Sequence, residues 1–192
     1  METNNISKEG IRKELLDKRK HFPKEMSDIS SEKICDYLID YLRDQKPDLL
    51  LLYMAYGKEV SLTKVINWCL QNNMKIALPR VSGDDMDFYC IESINDLKPG
   101  AFGILEPIGV DAIDLYEYEG NQVVCIVPGV GFDRGMHRMG HGRGYYDRYF
   151  EHFPEVKLYG VCHDFQLIDS IPTDEHDIPM NMIFTDKEMI GN

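Results

Sequence analysis

Apolar and polar positions along the chain follow two different periods, and they predict that helices and strands alternate. Between residues 34 and 42 the apolar side chains recur at three- and four-residue spacing, which is typical of a helix that buries one face. Residues 49–54 are apolar without interruption and predict a strand that is covered on both sides, as in a parallel sheet. Residues 123–127 form a second run of this kind.

Shorter signals complete the predicted order of elements. Ser7 is placed to cap a helix that runs to about Lys20, and Ser61 is placed to cap a helix over the apolar positions that follow it. Apolar segments predict further strands at residues 75–79, 86–91, 157–162 and 181–185. This alternation predicts one domain over residues 1–192, with a three-layer α/β/α fold around a largely parallel sheet.

Composition narrows the classes of function. The net charge of −12 at pH 7 argues against a nucleic-acid partner. The longest apolar run, residues 49–56, is too short to cross a bilayer, and the first ten residues contain no apolar signal core, so no membrane partner is expected. The five cysteines are scattered without a CxxC pair, which favours buried thiols in a reduced cytoplasmic protein. We expect the chain to be a monomer.

Residues 127–150 carry the clearest chemical signal in the chain. Glycine lets several backbone N–H groups approach one anion, and arginine offers paired donors that suit phosphate. The stretch runs into a predicted helix that begins near Tyr145 and contributes unpaired N–H groups. After Pro128 and Gly129 it contains Gly131, Gly135, Gly140, Gly142 and Gly144, interleaved with Arg134, Arg138, Arg143 and Arg148.

A positive cluster on an acidic protein predicts a site for an anionic ligand. Asp147, beside the glycines, is a candidate ligand of Mg²⁺, which often bridges carboxylates and phosphates. The alternative is a glycine-rich surface loop with solvated arginines. Two common phosphate motifs are excluded, because neither G-K-[ST] nor G-x-G-x-x-G occurs here.

Residues 138–148, RMGHGRGYYDR, resemble the signature of the 5-formyltetrahydrofolate cyclo-ligase family, whose pattern is approximately R-L-G-x-G-x-G-Y-Y-D. Met139 stands where leucine is usual in the family. Residues 78–81 (LPRV) and 102–107 (FGILEP) are similar to other family segments. The resemblance implies the fold of the NagB/RpiA/CoA-transferase group. It also implies an enzyme that uses ATP to convert 5-formyltetrahydrofolate to 5,10-methenyltetrahydrofolate.

The resemblance implies which residues bind ATP. Lys8 and Arg12 lie one turn apart at the edge of the apolar face of the first predicted helix, as does Arg19. Alone, they are more simply interpreted as long side chains that cover the edge of the core. They match, however, a lysine and an arginine that contact ATP phosphates in the family. The signature supplies the other ATP-binding residues: Arg138, Met139, Gly140, His141, Gly142, Arg143, Gly144, Tyr145 and Tyr146.

The resemblance also implies a folate site and a metal site. Glu59 follows a predicted buried strand, where ligands of α/β sheets bind, although many such residues are only solvated or cap the next helix. In the family this glutamate binds the pterin, and Met54 matches an apolar substrate contact. His141, Gly142, Arg143, Gly144 and Tyr145 are shared with this substrate site. Asp147 and Asp177 match the magnesium ligands, and His176 beside Asp177 is only a weak zinc signal.

In the reaction that the resemblance implies, the formyl oxygen attacks the γ-phosphate, and N10 then closes the ring as phosphate leaves. Arg143 or His141 is our candidate catalytic contact to the transferred phosphoryl group. Because Glu59 follows a different strand from the glycine stretch, we expect it to affect folate binding and not ATP binding. Two alternatives remain open: another phosphate- or CoA-handling enzyme of the same fold, or a non-catalytic nucleotide- or folate-binding module.

Overall fold

The computed structural model describes residues 7–100, 103–119 and 122–191. Within these residues the α-helices are α1 (Lys8–His21), α2 (Lys24–Gln45), α3 (Thr63–Gln71) and α4 (Tyr145–Phe150). The strands are β1 (Leu49–Leu51), β2 (Ile76–Ser82), β3 (Asp85–Ile91), β4 (Leu97–Pro99), β5 (Leu105–Pro107), β6 (Val123–Pro128), β7 (Gly131–Asp133), β8 (Arg138–Met139), β9 (Lys157–Val161), β10 (Leu167–Ile168), β11 (Met182–Phe184) and β12 (Met189–Gly191). Residues 1–6 at the start of the chain and Phe102 of the family segment 102–107 lie outside the described residues.

The central sheet has the order β12-β11-β9-β6-β1-β2-β3. Its five inner strands, from β11 to β2, are parallel, and the two edge strands β12 and β3 are antiparallel to their neighbours. Leu50 of β1 pairs with Val124 of β6 and Ile76 of β2, so the most apolar strand lies between two others. The predicted α/β fold with a largely parallel sheet is therefore confirmed.

The apolar run at β1 serves both faces of the sheet. Leu50 packs on the side of α2 and α3, whereas Leu49 and Leu51 pack on the opposite side with Phe150 of α4. Successive side chains of a strand point to opposite faces, so only a strand covered on both sides is apolar at every position. Full burial of each leucine contributes roughly 1.5–3 kcal/mol as an upper estimate.

The helix starts test the two predicted caps. Ser7 caps α1, since its hydroxyl accepts a hydrogen bond from the Gly10 amide at 3.1 Å. The prediction for Ser61 is wrong, because α3 begins at Thr63 with Leu62 at its cap position and no side-chain bond there. The Ser61 hydroxyl instead lies 3.0 Å from that of Thr63.

Several short strands were not predicted. Inside the glycine stretch, β7 and β8 pair antiparallel, and β10 joins β7 from far along the chain. The segment of residues 97–107 also forms a pair, β4 with β5. Strands of two or three residues have too few positions to show a period, so their pairing depends on tertiary contacts.

The burial of the cysteines and the length of the helices can be compared with the expectation of a reduced protein without a membrane partner. All five cysteines are free, and four are buried, but Cys90 is exposed, which corrects the expectation that every thiol is buried. No helix among the described residues is both long and apolar enough to cross a membrane.

Candidate active site

A cleft of about 970 Å³ opens at the carboxyl ends of β1, β2 and β6. Three neighbouring parallel strands end on this side, which is where open α/β sheets bind ligands. The cleft brings together every predicted site residue except one. The predicted residues that line it are Lys8, Arg12, Met54, Glu59, Arg138, Gly140, His141, Gly142, Arg143, Gly144, Tyr145, Tyr146, Asp147 and Asp177. The exception is Met139, whose side chain is fully buried on β8.

The glycines of residues 127–150 fall into two groups. Gly142 and Gly144 line the cleft with φ values of +92° and +64°, a backbone conformation that only glycine adopts without strain. Gly131 has a packing role instead, because an added Cβ would lie 2.5 Å from the Leu15 side chain of α1. Gly131 and Gly135 do not line the cleft, whereas Gly140, Gly142 and Gly144 do, so only these three are placed to offer backbone N–H groups to an anion there.

One end of the cleft contains opposite charges that pair with each other. The Lys8 ammonium lies between two carboxylates, 2.7 Å from Asp174 and 2.5 Å from Asp177. Burial opposes the charge on Lys8, but its bonds to Asp174 and Asp177 prevail and raise its pKa. Partial burial likewise acts to raise the pKa of Asp177, yet the bonds from Lys8 and the Asp174 amide hold that pKa below its ordinary value.

Arg138 forms a second ion pair at the same end. Its Nη2 donates to the Asp147 carboxylate at 2.7 Å, and the guanidinium lies over the Tyr146 ring, 5.5 Å from the centroid. Within the described part of the chain, its buried Nε has no hydrogen-bond partner. Arg12 connects α1 to the glycine loop, since its Nε donates to the Gly140 carbonyl at 2.9 Å. Both candidate magnesium ligands, Asp147 and Asp177, are thus paired with side chains that were predicted to bind phosphate.

The other end of the cleft is organised around Glu59. Its Oε2 accepts a bond from the Tyr56 amide at 2.9 Å. Its Oε1 lies 3.3 Å from His141 Nε2 and 3.5 Å from Arg19 Nη1. Glu59 therefore touches the glycine loop directly, which corrects the expectation that the two are independent because they follow different strands. Apolar side chains also line the cleft: Met54, Val81, Met86, Ile104 and Leu105.

Sequence reasoning missed two residues of this site. Arg19 is nearly fully buried behind Glu59, and Asp174 shares Lys8 with Asp177. Helical spacing placed Arg19 in the same sector of α1 as Lys8, which was a signal of its direction but not of its partner. For Asp174 the sequence offered only proximity to Asp177.

Other residues from the sequence analysis lie elsewhere. Arg134 pairs with Glu188 at 2.5 Å outside the cleft, so it does not belong to the positive cluster. Arg148 stabilises the glycine loop without lining the cleft, because it donates to the carbonyls of Arg143 and Asp84, both at 2.7 Å. His176 is exposed, and the described residues contain no group of three or more His, Cys, Asp or Glu suited to a metal ion.

Comparisons with known proteins identify the family and the fold. A sequence model of the 5-formyltetrahydrofolate cyclo-ligase family matches residues 4–186. A probable 5-formyltetrahydrofolate cyclo-ligase of Schizosaccharomyces pombe is 28% identical over 86% of this chain and 88% of its own length.

Two solved structures share the fold. The NMR structure of Aquifex aeolicus 5,10-methenyltetrahydrofolate synthetase superposes with a TM-score of 0.81 at 33% identity, covering 96% of this chain and 92% of the other. The synthetase from Mycoplasma pneumoniae has a TM-score of 0.75 at 22% identity, covering 94% and 99%, and supports the fold alone. Because the family match spans nearly the whole chain, the protein belongs to the 5-formyltetrahydrofolate cyclo-ligase family.

Proposed function

We propose that this protein catalyses the ATP-dependent cyclisation of 5-formyltetrahydrofolate to 5,10-methenyltetrahydrofolate, with release of ADP and phosphate. One observation carries the proposal: a single cleft is lined by cationic side chains suited to phosphate, by apolar side chains and by the oriented carboxylate of Glu59. A phosphoryl transfer between ATP and a pterin needs both kinds of surface within reach of each other. Family membership supports the same reaction.

ATP binds at the charged end. The cationic donors are Lys8, Arg12 and Arg138. Phosphates can come close to the backbone N–H groups at Gly140, Gly142 and Gly144, because glycine has no side chain. The buried Arg138 Nε is a donor for which the described residues offer no acceptor, as expected of a group that completes its bonds with a ligand. The remaining proposed contacts are Met139 through its backbone, Tyr145 and Tyr146.

Asp147 and Asp177 fit a magnesium ion. Both are carboxylates lining the cleft, the hard oxygen donors that Mg²⁺ prefers beside phosphates. Each already attracts a cation, since Lys8 contacts Asp177 and Arg138 contacts Asp147. Asp147 and Asp177 would hold Mg²⁺ if the phosphates of ATP took Lys8 and Arg138 as partners. A bound ion would supply charge neutralisation on the phosphoryl oxygens.

The pterin binds at the Glu59 end. A carboxylate has about four acceptor positions, of which the Tyr56 amide occupies one on Oε2. Glu59 can therefore accept the paired N–H donors of a pterin, while Met54 and the apolar side chains beside it contact the ring faces. The loop residues proposed for both sites, from His141 to Tyr145, line the same cleft.

The chemistry proceeds in two steps. A formamide oxygen is a poor leaving group, so the formyl oxygen first attacks the γ-phosphorus and the bond to the bridging oxygen of ADP breaks. N10 then attacks the formyl carbon and loses its proton to solvent or phosphate, and the oxygen leaves as part of inorganic phosphate. Arg143 and His141 are the proposed contacts to the transferred group, because both are donors that line the cleft. The chain's main contribution is to hold the two substrates in line.

We also propose that the protein is a cytoplasmic monomer that acts on small molecules and binds neither nucleic acid nor membrane. The free cysteines fit the reduced cytoplasm, and the net charge of −12 fits the absence of a nucleic-acid partner.

The direct test is an assay of purified protein with MgATP and 5-formyltetrahydrofolate, followed by the near-ultraviolet absorbance of the methenyl product. We expect product and ADP to appear in equal amounts, with neither formed when either substrate is omitted. ATP hydrolysis without folate dependence would favour a different phosphate-handling enzyme. Binding of both ligands without product would favour a non-catalytic module.

A further inference from the structure

Arg19 is a buried charge that borders the cleft without lining it. It lies on α1, and its side chain is 7% exposed. Its guanidinium contacts the Gly129 carbonyl at 3.4 Å, His141 Nε2 at 3.1 Å and Glu59 Oε1 at 3.5 Å. A buried guanidinium is costly unless acceptors surround it. Its partners therefore indicate what it does, and two of the three belong to the proposed substrate site.

The contact with His141 constrains where the imidazole carries its proton. Arginine only donates hydrogen bonds and is not deprotonated in proteins. At 3.1 Å, Arg19 Nη2 requires an acceptor, so Nε2 of His141 carries no hydrogen. In the neutral ring the proton is then on Nδ1. A hydrogen on Nε2 would instead place two donors against each other.

Glu59 competes for the same ring nitrogen. Its Oε1 lies 3.3 Å from Nε2, and a hydrogen bond there would need a proton on Nε2. One nitrogen of a neutral imidazole cannot both accept from Arg19 and donate to Glu59. The geometry favours Arg19, because its contact with Nε2 is shorter and because the same guanidinium forms an ion pair with Glu59, at 3.5 Å from Nη1.

We propose that Arg19 is a positioning residue that orients Glu59 as an acceptor and fixes His141 in the tautomer with its proton on Nδ1. His141 then offers an N–H donor on the ring atom that contacts neither Arg19 nor Glu59, and its ring lines the cleft. One buried guanidinium thus orients a hydrogen-bond donor, His141 in the glycine loop, and a hydrogen-bond acceptor, Glu59 in the turn after β1. The identity of the ligand that uses them rests on the proposed function.

Side-chain NMR tests the tautomer without any ligand. Long-range ¹H–¹⁵N spectra at about pH 8, above the ordinary pKa of histidine, distinguish protonated from unprotonated ring nitrogens. A His141→Gln variant assigns the signals. We expect a protonated Nδ1 in the wild type and a change toward protonated Nε2 in Arg19→Gln, where Glu59 is the remaining partner. Arg134→Gln, which removes an exposed arginine outside the cleft, should leave the spectrum unchanged.

Calorimetry tests the consequence for binding. Arg19→Gln should weaken 5-formyltetrahydrofolate binding on the order of tenfold, with a smaller change for ATP. Arg19→Lys keeps the charge beside Glu59 but cannot reach both acceptors, so folate affinity should recover while the tautomer does not. If Arg19→Gln does not fold, the wild-type spectrum and Arg19→Lys decide the question.

The outcomes separate this inference from the proposed function. A protonated Nε2 in the wild type overturns the inference, as does a folded Arg19→Gln variant with unchanged tautomer and folate affinity. If the wild type binds no folate, the proposed function fails, while the spectra alone still decide whether Arg19 sets the tautomer of His141.

Discussion

The charged side chains in the two parts of the cleft have different kinds of partner. At the charged end (Lys8, Arg138, Asp147, Asp174 and Asp177), cations and carboxylates from separate elements pair directly across the cleft. At the Glu59 end, one carboxylate is held from behind by the buried Arg19 and by a backbone amide of its own turn. The ion pairs of the charged end must therefore break when a ligand binds there. The Glu59 carboxylate, in contrast, is held in place before a ligand binds.

This difference predicts where substitutions act. At the charged end, a lost side chain leaves its former partner unpaired, so stability and ligand affinity change together. At the Glu59 end, the carboxylate keeps two of its contacts whichever ligand is present, so affinity for one ligand changes most.

Arg138→Ala should have the largest effect, because it leaves the partly buried Asp147 carboxylate without its partner. We expect stability to fall by about 3–5 kcal/mol and ATP affinity to fall by about a hundredfold. Thermal unfolding and calorimetry measure the two losses. The matched control is Arg134→Ala, whose arginine is exposed on the same segment and pairs outside the cleft.

The double variant Arg138→Ala/Asp147→Ala separates the two effects. Removing both partners should restore part of the stability, since no unpaired charge remains, but ATP binding should stay weak. ATP affinity at the wild-type level in Arg138→Ala would remove Arg138 from the phosphate site.

Asp147→Asn should lower turnover by about two orders of magnitude and change ATP affinity less. An amide is a poorer ligand than a carboxylate for Mg²⁺, whose charge stabilisation is worth several kcal/mol during phosphoryl transfer. A magnesium titration of the rate is the measurement, with circular dichroism to check α4. Asp40→Asn, on an exposed part of α2, is the control. An unaltered magnesium dependence would argue against Asp147 as a ligand.

Glu59→Gln should weaken 5-formyltetrahydrofolate binding by about 1–3 kcal/mol, because a donor NH₂ group replaces an acceptor oxygen. Its contact with His141 means that ATP affinity should also change, though by less. Calorimetry with each ligand gives both values, and Glu188→Gln is an exposed control. Normal folate affinity together with lost ATP binding would place Glu59 at the nucleotide end instead.

Asp174→Asn and Asp177→Asn form a matched pair with unequal expected effects. The Asp174 side chain is 73% exposed, so its bond to Lys8 should contribute less than about 1 kcal/mol. The Asp177 side chain is 24% exposed and is our proposed metal ligand. ATP binding should lose its magnesium dependence in Asp177→Asn and keep it in Asp174→Asn. Equal losses would show that the two carboxylates act together.

The sequence was informative where structure follows local pattern. The run at Leu49 predicted a doubly covered strand, and Ser7 predicted the start of α1, because periodicity and capping depend on near neighbours. The signature supplied a continuous part of the cleft lining, from Gly140 to Asp147, together with Arg138. Ser61 misled because a hydroxyl before a helix has several local partners, of which Thr63 is the one it contacts.

Contacts between residues far apart in the chain could not be predicted from the sequence. Nothing near Arg19 indicates that it lies beneath Glu59, since that contact joins α1 to the turn after β1. Arg134 counted as part of a positive cluster until the structure showed its partner, Glu188, at the far end of the chain. Gly131 likewise looked like a phosphate-loop glycine, although its backbone packs closely against Leu15.

The most direct measurement of the proposed chemistry follows the formyl oxygen. 5-Formyltetrahydrofolate labelled with ¹⁸O in its formyl group is incubated with the protein and MgATP, and the released phosphate is analysed by mass spectrometry. The account predicts one ¹⁸O atom in each phosphate formed, because the formyl oxygen attacks the γ-phosphorus and leaves with it. Unlabelled phosphate accompanying methenyl product would contradict it, since the oxygen would then have left by another route.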